Sequence, residues 1–228
     1  MKTGVLRNLR MQLLVAAQMA GTQLAVSVLL LVWQMLTNSM EYLALRMSIS
    51  AVVYGVLIGL VMAGVSYSTL YQCYLPAALG FSSSRKASFL TAQATKLVYS
   101  LITVMVTMLL NGLVMLLWKE AFWAAVAPVC LLTLFGLLPV MSIAELLTLL
   151  AKKFGKIGAV LLVLVFAMLG GCGGFLIGYS GDGDLLGYIT ARVQLLPGGL
   201  VGAACCILLA VSVLLSLISW RLYRHSPI

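Results

Sequence analysis

Six stretches without a charged side chain divide the chain, from Leu13 to Leu36, Ile49 to Tyr71, Leu97 to Trp118, Ala121 to Ala144, Ile157 to Tyr179 and Gly199 to Trp220, none shorter than 22 residues. About 20 helical residues cross the hydrocarbon core of a bilayer, so each stretch is long enough to span it with some tilt. A water-soluble fold has no means of hiding so much apolar surface. With 63% of the 228 residues apolar and 8% charged, the composition lies far from that of a soluble domain. The sequence therefore predicts an all-α membrane protein of six transmembrane helices, with residues 1–228 forming a single transmembrane domain. Aromatic residues at the ends of the stretches, Trp33, Tyr71, Trp118, Trp123, Tyr179, Trp220 and Tyr223, fit interfacial belts.

Charge sets the expected orientation. Placing the N-terminus inside assigns Lys2, Arg7, Arg10, Arg85, Lys86, Lys96, Lys152, Lys153, Lys156, Arg221 and Arg224 to the cytoplasm, eleven of the fourteen Lys and Arg. Arg46, Lys119 and Arg192 then fall outside, together with Glu41, Glu120, Asp182 and Asp184. This is a strong positive-inside bias with both termini cytoplasmic. The net charge of +9 reads accordingly as topology and attraction to anionic inner-leaflet lipid, with no nucleic-acid partner. The first stretch exceeds a signal-peptide core and lacks an A-x-A site, so it is expected to stay as a span. The five cysteines show no C-x-x-C spacing and read as packing residues.

The absent side chains exclude much chemistry. The single histidine, His225, is the fourth residue from the end of the sequence, and no stretch as drawn contains a carboxylate. Zinc-peptidase, serine–histidine and paired-aspartate sites therefore have no residues to build on, and a chain of intramembrane acids for proton relay is not expected. No G-x-x-x-x-G-K-[ST] occurs, so any ATP-driven step belongs to another polypeptide. Asp182-Gly183-Asp184 lacks the later ligands of a calcium loop and reads as a polar turn. No catalytic residue, metal or bound cofactor is expected.

Packing signals are clearer. Gly55, Gly59 and Ala63 in the second stretch, and Gly170, Gly174 and Gly178 in the fifth, recur every four residues and predict close helix approach, within one subunit or at a dimer interface. Gln23 and Asn111 are amides inside apolar stretches, expected to bond across helices or to face a pathway. Pro128 and Pro139 favour kinks in a fourth helix that can continue to Ala151. Glu145 lies just past the fourth stretch, near its cytoplasmic end, where a basic partner from this chain or another could neutralise it.

The connection from Gln72 to Lys96 is the most informative segment. Pro76 and Gly80 break the second helix, and Ser82, Ser83 and Ser84 offer N-caps for a short helix carrying Arg85, Lys86, Phe89 and Leu90. Leu79, Gly80, Phe81, Ser84, Arg85, Lys86 and Phe89 resemble the Leu-Gly-x-[Ser/Thr]-Arg-Lys-x-x-Phe turn of small permeases in Gram-positive ABC exporters, with two additional serines. The layout as a whole resembles type-2 ABC exporter permeases. That resemblance implies a membrane subunit moving a peptide, lipid or drug-like substrate, paired with a second permease copy and with separate ABC ATPase subunits that hold ATP and magnesium. It further implies an ATPase-coupling segment of Ser84, Arg85, Lys86 and Phe89, an outer lid from Leu185 through Tyr188 to Pro197, and residence in a Gram-positive cytoplasmic membrane. A substrate-binding component of a vitamin importer and a non-transport scaffold are the competing readings.

The topology is open to direct measurement. In a cysteine-free background, a cysteine at position 119 is expected to react with an impermeant thiol reagent on intact cells, and one at position 85 only after permeabilisation. Reaction at position 85 in intact cells would reverse the orientation.

Overall fold

The computed structural model describes residues 2–37, 43–74, 84–118, 123–155 and 198–225, together with Pro76 and scattered positions between 157 and 171. The described elements are all helical. They are α1 (Lys2–Thr37), α2 (Leu43–Thr69) closed by a π-helical turn (Leu70–Tyr74), α3 (Arg85–Trp118), α4 (Trp123–Phe154) and α5 (Gly198–His225). Each contains a segment long and apolar enough to cross a membrane: Gln12–Leu36, Ser50–Tyr74, Arg85–Leu116, Pro128–Phe154 and Gly198–Arg224. The chain is therefore compatible with a multi-pass membrane protein, with five such helices among the described residues. Most of the fifth sequence stretch, including Gly170, Gly174 and Gly178, and the segment holding Leu185, Tyr188 and Pro197 lie outside the described residues.

Two boundaries differ from the sequence expectation. The short helix expected at Ser84 to Phe89 is instead the opening of α3, which runs without a break from Arg85 to Trp118. Ser84 caps it, accepting the Ala87 amide at 3.2 Å, and neither Gly nor Pro follows until Gly112. Lys96, assigned to a cytoplasmic loop, consequently lies inside a membrane-span helix. At the other boundary, α4 continues through both prolines to Phe154 and takes Glu145 into the candidate span. The absence of a carboxylate from the spans was a consequence of ending the fourth stretch at Ala144. Gly155, at a φ of 60°, supplies the left-handed turn that ends α4 behind Lys152 and Lys153.

Cross-helix contacts fix the direction of every element. Tyr67 donates to the Ala92 carbonyl while Gly55 faces Thr107, so α2 and α3 run antiparallel. Val52 clusters with Cys130, and Ser68 bonds Thr148, so α2 and α4 run parallel. Arg85 donates to the Arg224 carbonyl and Phe89 packs on Trp220, so α5 ends where α3 begins. Gln12 of α1 meets Thr95 of α3 toward the same end. Arg85, Lys86, Lys152, Lys153, Arg221 and Arg224 are thereby gathered at one end of the bundle.

Helices α1, α2 and α3 pack around Leu31, Tyr54, Ile58, Val106 and Leu110. A second cluster nearer the basic end joins Tyr67, Tyr71, Phe89, Tyr99, Leu137, Met141 and Tyr223. The sequence reading of Gly55 and Gly59 resolves as intrachain packing. A Cβ at Gly59 would stand 2.2 Å from the Thr103 methyl carbon and 2.9 Å from Gln23 Nε2, and one at Gly55 would stand 2.6 Å from Thr107 Oγ1. Each distance is below contact, so only hydrogen side chains permit this separation of α2 and α3. The approach also lets Gln23 Nε2 reach the Gly55 carbonyl at 2.9 Å.

Gly59→Val is expected to lower stability in detergent by about 1–3 kcal/mol, because overpacking displaces Thr103 and the Gln23 amide together. Gly136→Ala is expected to be neutral or stabilising by up to about 1 kcal/mol, since nothing lies within 4 Å of a Cβ there and Ala favours the helix. Equal melting shifts for the two variants would contradict the packing assignment.

Candidate functional site

Two ionisable side chains meet inside the bundle. Lys96 Nζ of α3 lies 2.6 Å from Glu145 Oε2 of α4, with the side chains 3% and 0% exposed. A lysine or glutamate almost never enters an apolar interior alone, because losing its hydration costs several kcal/mol that a single partner does not return. Here the remaining valences are filled. Lys96 Nζ also donates to Ser142 Oγ and Ser216 Oγ, both at 2.9 Å, which accounts for its three protons. The Tyr67 ring lies beneath it, 5.4 Å from nitrogen to centroid.

Glu145 is satisfied with equal completeness. Oε1 accepts the Tyr71 hydroxyl at 2.5 Å, and Gln93 Nε2 lies 3.2 Å from each carboxylate oxygen. The network then extends outward through hydroxyls. Ser216 Oγ donates to Gln93 Oε1 at 3.1 Å, while Ser142 Oγ donates to its own helix at the Leu138 carbonyl. That commitment leaves Ser212 to donate to Ser142 across 3.1 Å. Side chains from the end of α2, from α3, from α4 and from α5 thus converge on one ion pair.

The π-helical turn at Leu70–Tyr74 belongs to the same assembly. Its wider winding accompanies Tyr71, whose hydroxyl reaches Glu145 while its backbone carbonyl accepts Lys152 Nζ at 2.8 Å. Tyr71 therefore connects the buried pair with the basic end. No signal in the sequence marked it beyond its place near an interface.

Beside the network a cleft of about 540 Å³ opens between α3 and α5. Leu138 of α4 forms part of its wall, Gln93, Lys96, Ser212 and Ser216 supply its polar lining, and Lys86 with Trp220 stands at the basic end. Its lips are apolar and open to the surroundings of the bundle: Leu90, Leu97, Val213 and Leu217 are each about half exposed.

The residues singled out from the sequence are only partly brought together. Ser84, Arg85 and Lys86 are exposed at the start of α3, whereas Phe89 is 8% exposed and packs 4.8 Å from Trp220. Its ring is packed into the chain's own core. Gln23 and Asn111 are fully buried, and neither lines the cleft. Gln23 bridges helices, as one of its two expected roles required. Among the described residues no three His, Cys, Asp or Glu side chains come together as a metal site. Protein-family models, characterised proteins and solved structures give no match to this chain.

Glu145→Gln is expected to destabilise the protein by about 3–5 kcal/mol, because it leaves the Lys96 ammonium buried against a neutral amide. The double variant Lys96→Met, Glu145→Leu is expected to recover most of that loss, since it removes both charges together. Thermal unfolding in detergent separates the cases. A double variant no more stable than Glu145→Gln would show that the hydroxyl network, and not charge balance, carries the stability.

Proposed function

We propose that this chain is the membrane-spanning permease subunit of an ATP-driven exporter, working with separate ATPase subunits and a second permease copy. The observation that carries the reading is the physical continuity of α3. Arg85 and Lys86 lie exposed on its first turn, and Lys96 lies on the same unbroken helix eleven residues beyond Arg85, a rise of about 16 Å. Displacement of the basic end by a partner therefore moves Lys96 directly. Because that lysine is bonded to side chains of α4 and α5, the motion reaches both helices. Ionisable residues inside membrane helices commonly mark transport pathways or moving parts.

The parallel course of α4 and α5 supports six crossings. Phe154 stands at the basic end and Gly198 at the opposite end. With the basic end cytoplasmic, this agrees with an inside N-terminus and with the positive-inside expectation. The docking surface in this reading consists of Ser84, Arg85 and Lys86 without Phe89. The polar groups lining the cleft are bonded to one another, which gives a vitamin-binding component little with which to recognise its ligand.

The exporter reading is tested by purification from native membranes followed by reconstitution. A P-loop ATPase is expected to co-purify, and ATP is expected to drive flux only when both components are present. Arg85→Glu combined with Lys86→Glu is expected to reduce ATPase recovery at least about tenfold at low salt, because reversing a charged contact penalises association. Arg10→Glu at the start of α1 provides the comparison. Undiminished recovery with the double variant would remove the start of α3 as the coupling surface, and absence of any ATPase or ATP-dependent flux would remove the exporter reading.

A further inference from the structure

The cleft between α3 and α5 has a chemistry of its own. Its polar side chains face inward to an already completed network: Lys96 has three acceptors, Gln93 holds both Glu145 and Ser216, and Ser212 is bonded to Ser142. An occupant gains little by offering hydrogen bonds there. The remainder of the wall and both lips are aliphatic or aromatic. The interior therefore suits a hydrocarbon chain.

The mouth differs from the interior. Lys86 lies at the basic end of the cleft, exposed, and no carboxylate of the described residues pairs with it. Among the described residues the charged side chains of the lining are Lys86 and Lys96, and the carboxylate of Glu145 is paired with Lys96 and lies outside the lining. From Lys86 to Leu97 the cleft follows α3 for eleven residues, a rise of about 16 Å along the helix axis. An elongated apolar slot with its cation at one end is complementary to an anionic amphiphile lying parallel to the helices. The exposed Leu90, Leu97, Val213 and Leu217 put its side opening where bilayer hydrocarbon meets the helices.

We propose that this cleft binds an anionic glycerophospholipid of the surrounding bilayer, with one acyl chain between α3 and α5 and the phosphate at Lys86. The site does not depend on the exporter reading, because the geometry describes a resident lipid whether or not the chain transports anything. A lipid held there would rest against the side of α5 that carries Ser212 and Ser216, and would support the contact that closes Lys96 into its network.

The test is native mass spectrometry of the purified full chain in detergent, titrated separately with phosphatidylglycerol and phosphatidylcholine of identical acyl chains. Phosphatidylglycerol is expected to bind about fivefold more tightly, the factor that one basic side chain supplies toward a lipid of net negative charge, whereas the choline cation of phosphatidylcholine cancels the charge of its phosphate. Lys86→Ala is expected to abolish that preference. Lys153→Ala, at the same end but outside the cleft, is expected to leave it unchanged. Val213→Trp, which puts a large ring on the half-exposed lip, is expected to weaken both lipids without lowering the melting temperature. Equal affinity of the two lipids for the unmodified chain would overturn the proposal. So would equal losses with Lys86→Ala and Lys153→Ala, which would indicate diffuse attraction to the basic end, or unchanged binding to Val213→Trp, which would place the lipid elsewhere.

Discussion

An ammonium and a carboxylate inside an apolar bundle impose a condition that the neighbouring helices must meet. Stripping either ion of water costs several kcal/mol, and the attraction between them offsets this only when the remaining lone pairs and protons also find partners. Lys96 and Glu145 meet that condition with side chains from the end of α2, from α3, α4 and α5, and no one helix supplies enough of them. The pair therefore depends on the assembled bundle. Conversely, any displacement of one helix exposes the pair to an unmet valence. This gives the arrangement directional specificity that interchangeable aliphatic contacts lack.

Elsewhere the helices approach by a different means. Where α2 crosses α3 there is no charge to satisfy, and the absence of side chains at Gly55 and Gly59 brings the backbones together. Threonines on the facing helix suit the same purpose, because Thr107 folds its hydroxyl back onto the Thr103 carbonyl at 2.8 Å, and Thr103 turns its methyl toward Gly59. The bundle thus has two kinds of contact. The glycine seam of α2 and α3 resists displacement through steric fit, while the α3–α4–α5 junction is held by a polar network beside an open cleft.

Much of this architecture was legible in the sequence because burial in lipid demands long apolar helices, and five of the six stretches correspond to described helices. The glycine spacing in α2 and the amide of Gln23 were legible for the same reason: each local pattern has few physical uses in a membrane. For Glu145 the sequence left room for a basic partner, from this chain or another. Its partner was hidden because Lys96, counted as a loop charge, had been separated from a helix it belongs to. Charge-free windows end at charged residues by construction, and an internally compensated pair is the case in which that rule fails. Tyr71 and the two serines of α5 carried no comparable mark, since their roles arise only when distant helices are brought together.

Phe89 shows how the same continuity alters the mechanical reading of the basic end. A short separate helix would have left its apolar face available to a partner, with flexible chain between it and the membrane. Because α3 is continuous, the face bearing Phe89 is fixed by the face bearing Lys96, and the ring falls against Trp220 and Tyr223 of α5. Arg85 reinforces this contact by donating to the Arg224 carbonyl at 2.9 Å, where the end of α5 has carbonyls without helical partners. The first turns of α3 and the last turns of α5 are consequently one unit, joined by an aromatic cluster and an arginine bond below the cleft and by Lys96 and Ser216 beside it. Unbroken helix connects the exposed charges of this unit to Lys96, with no slack segment between them.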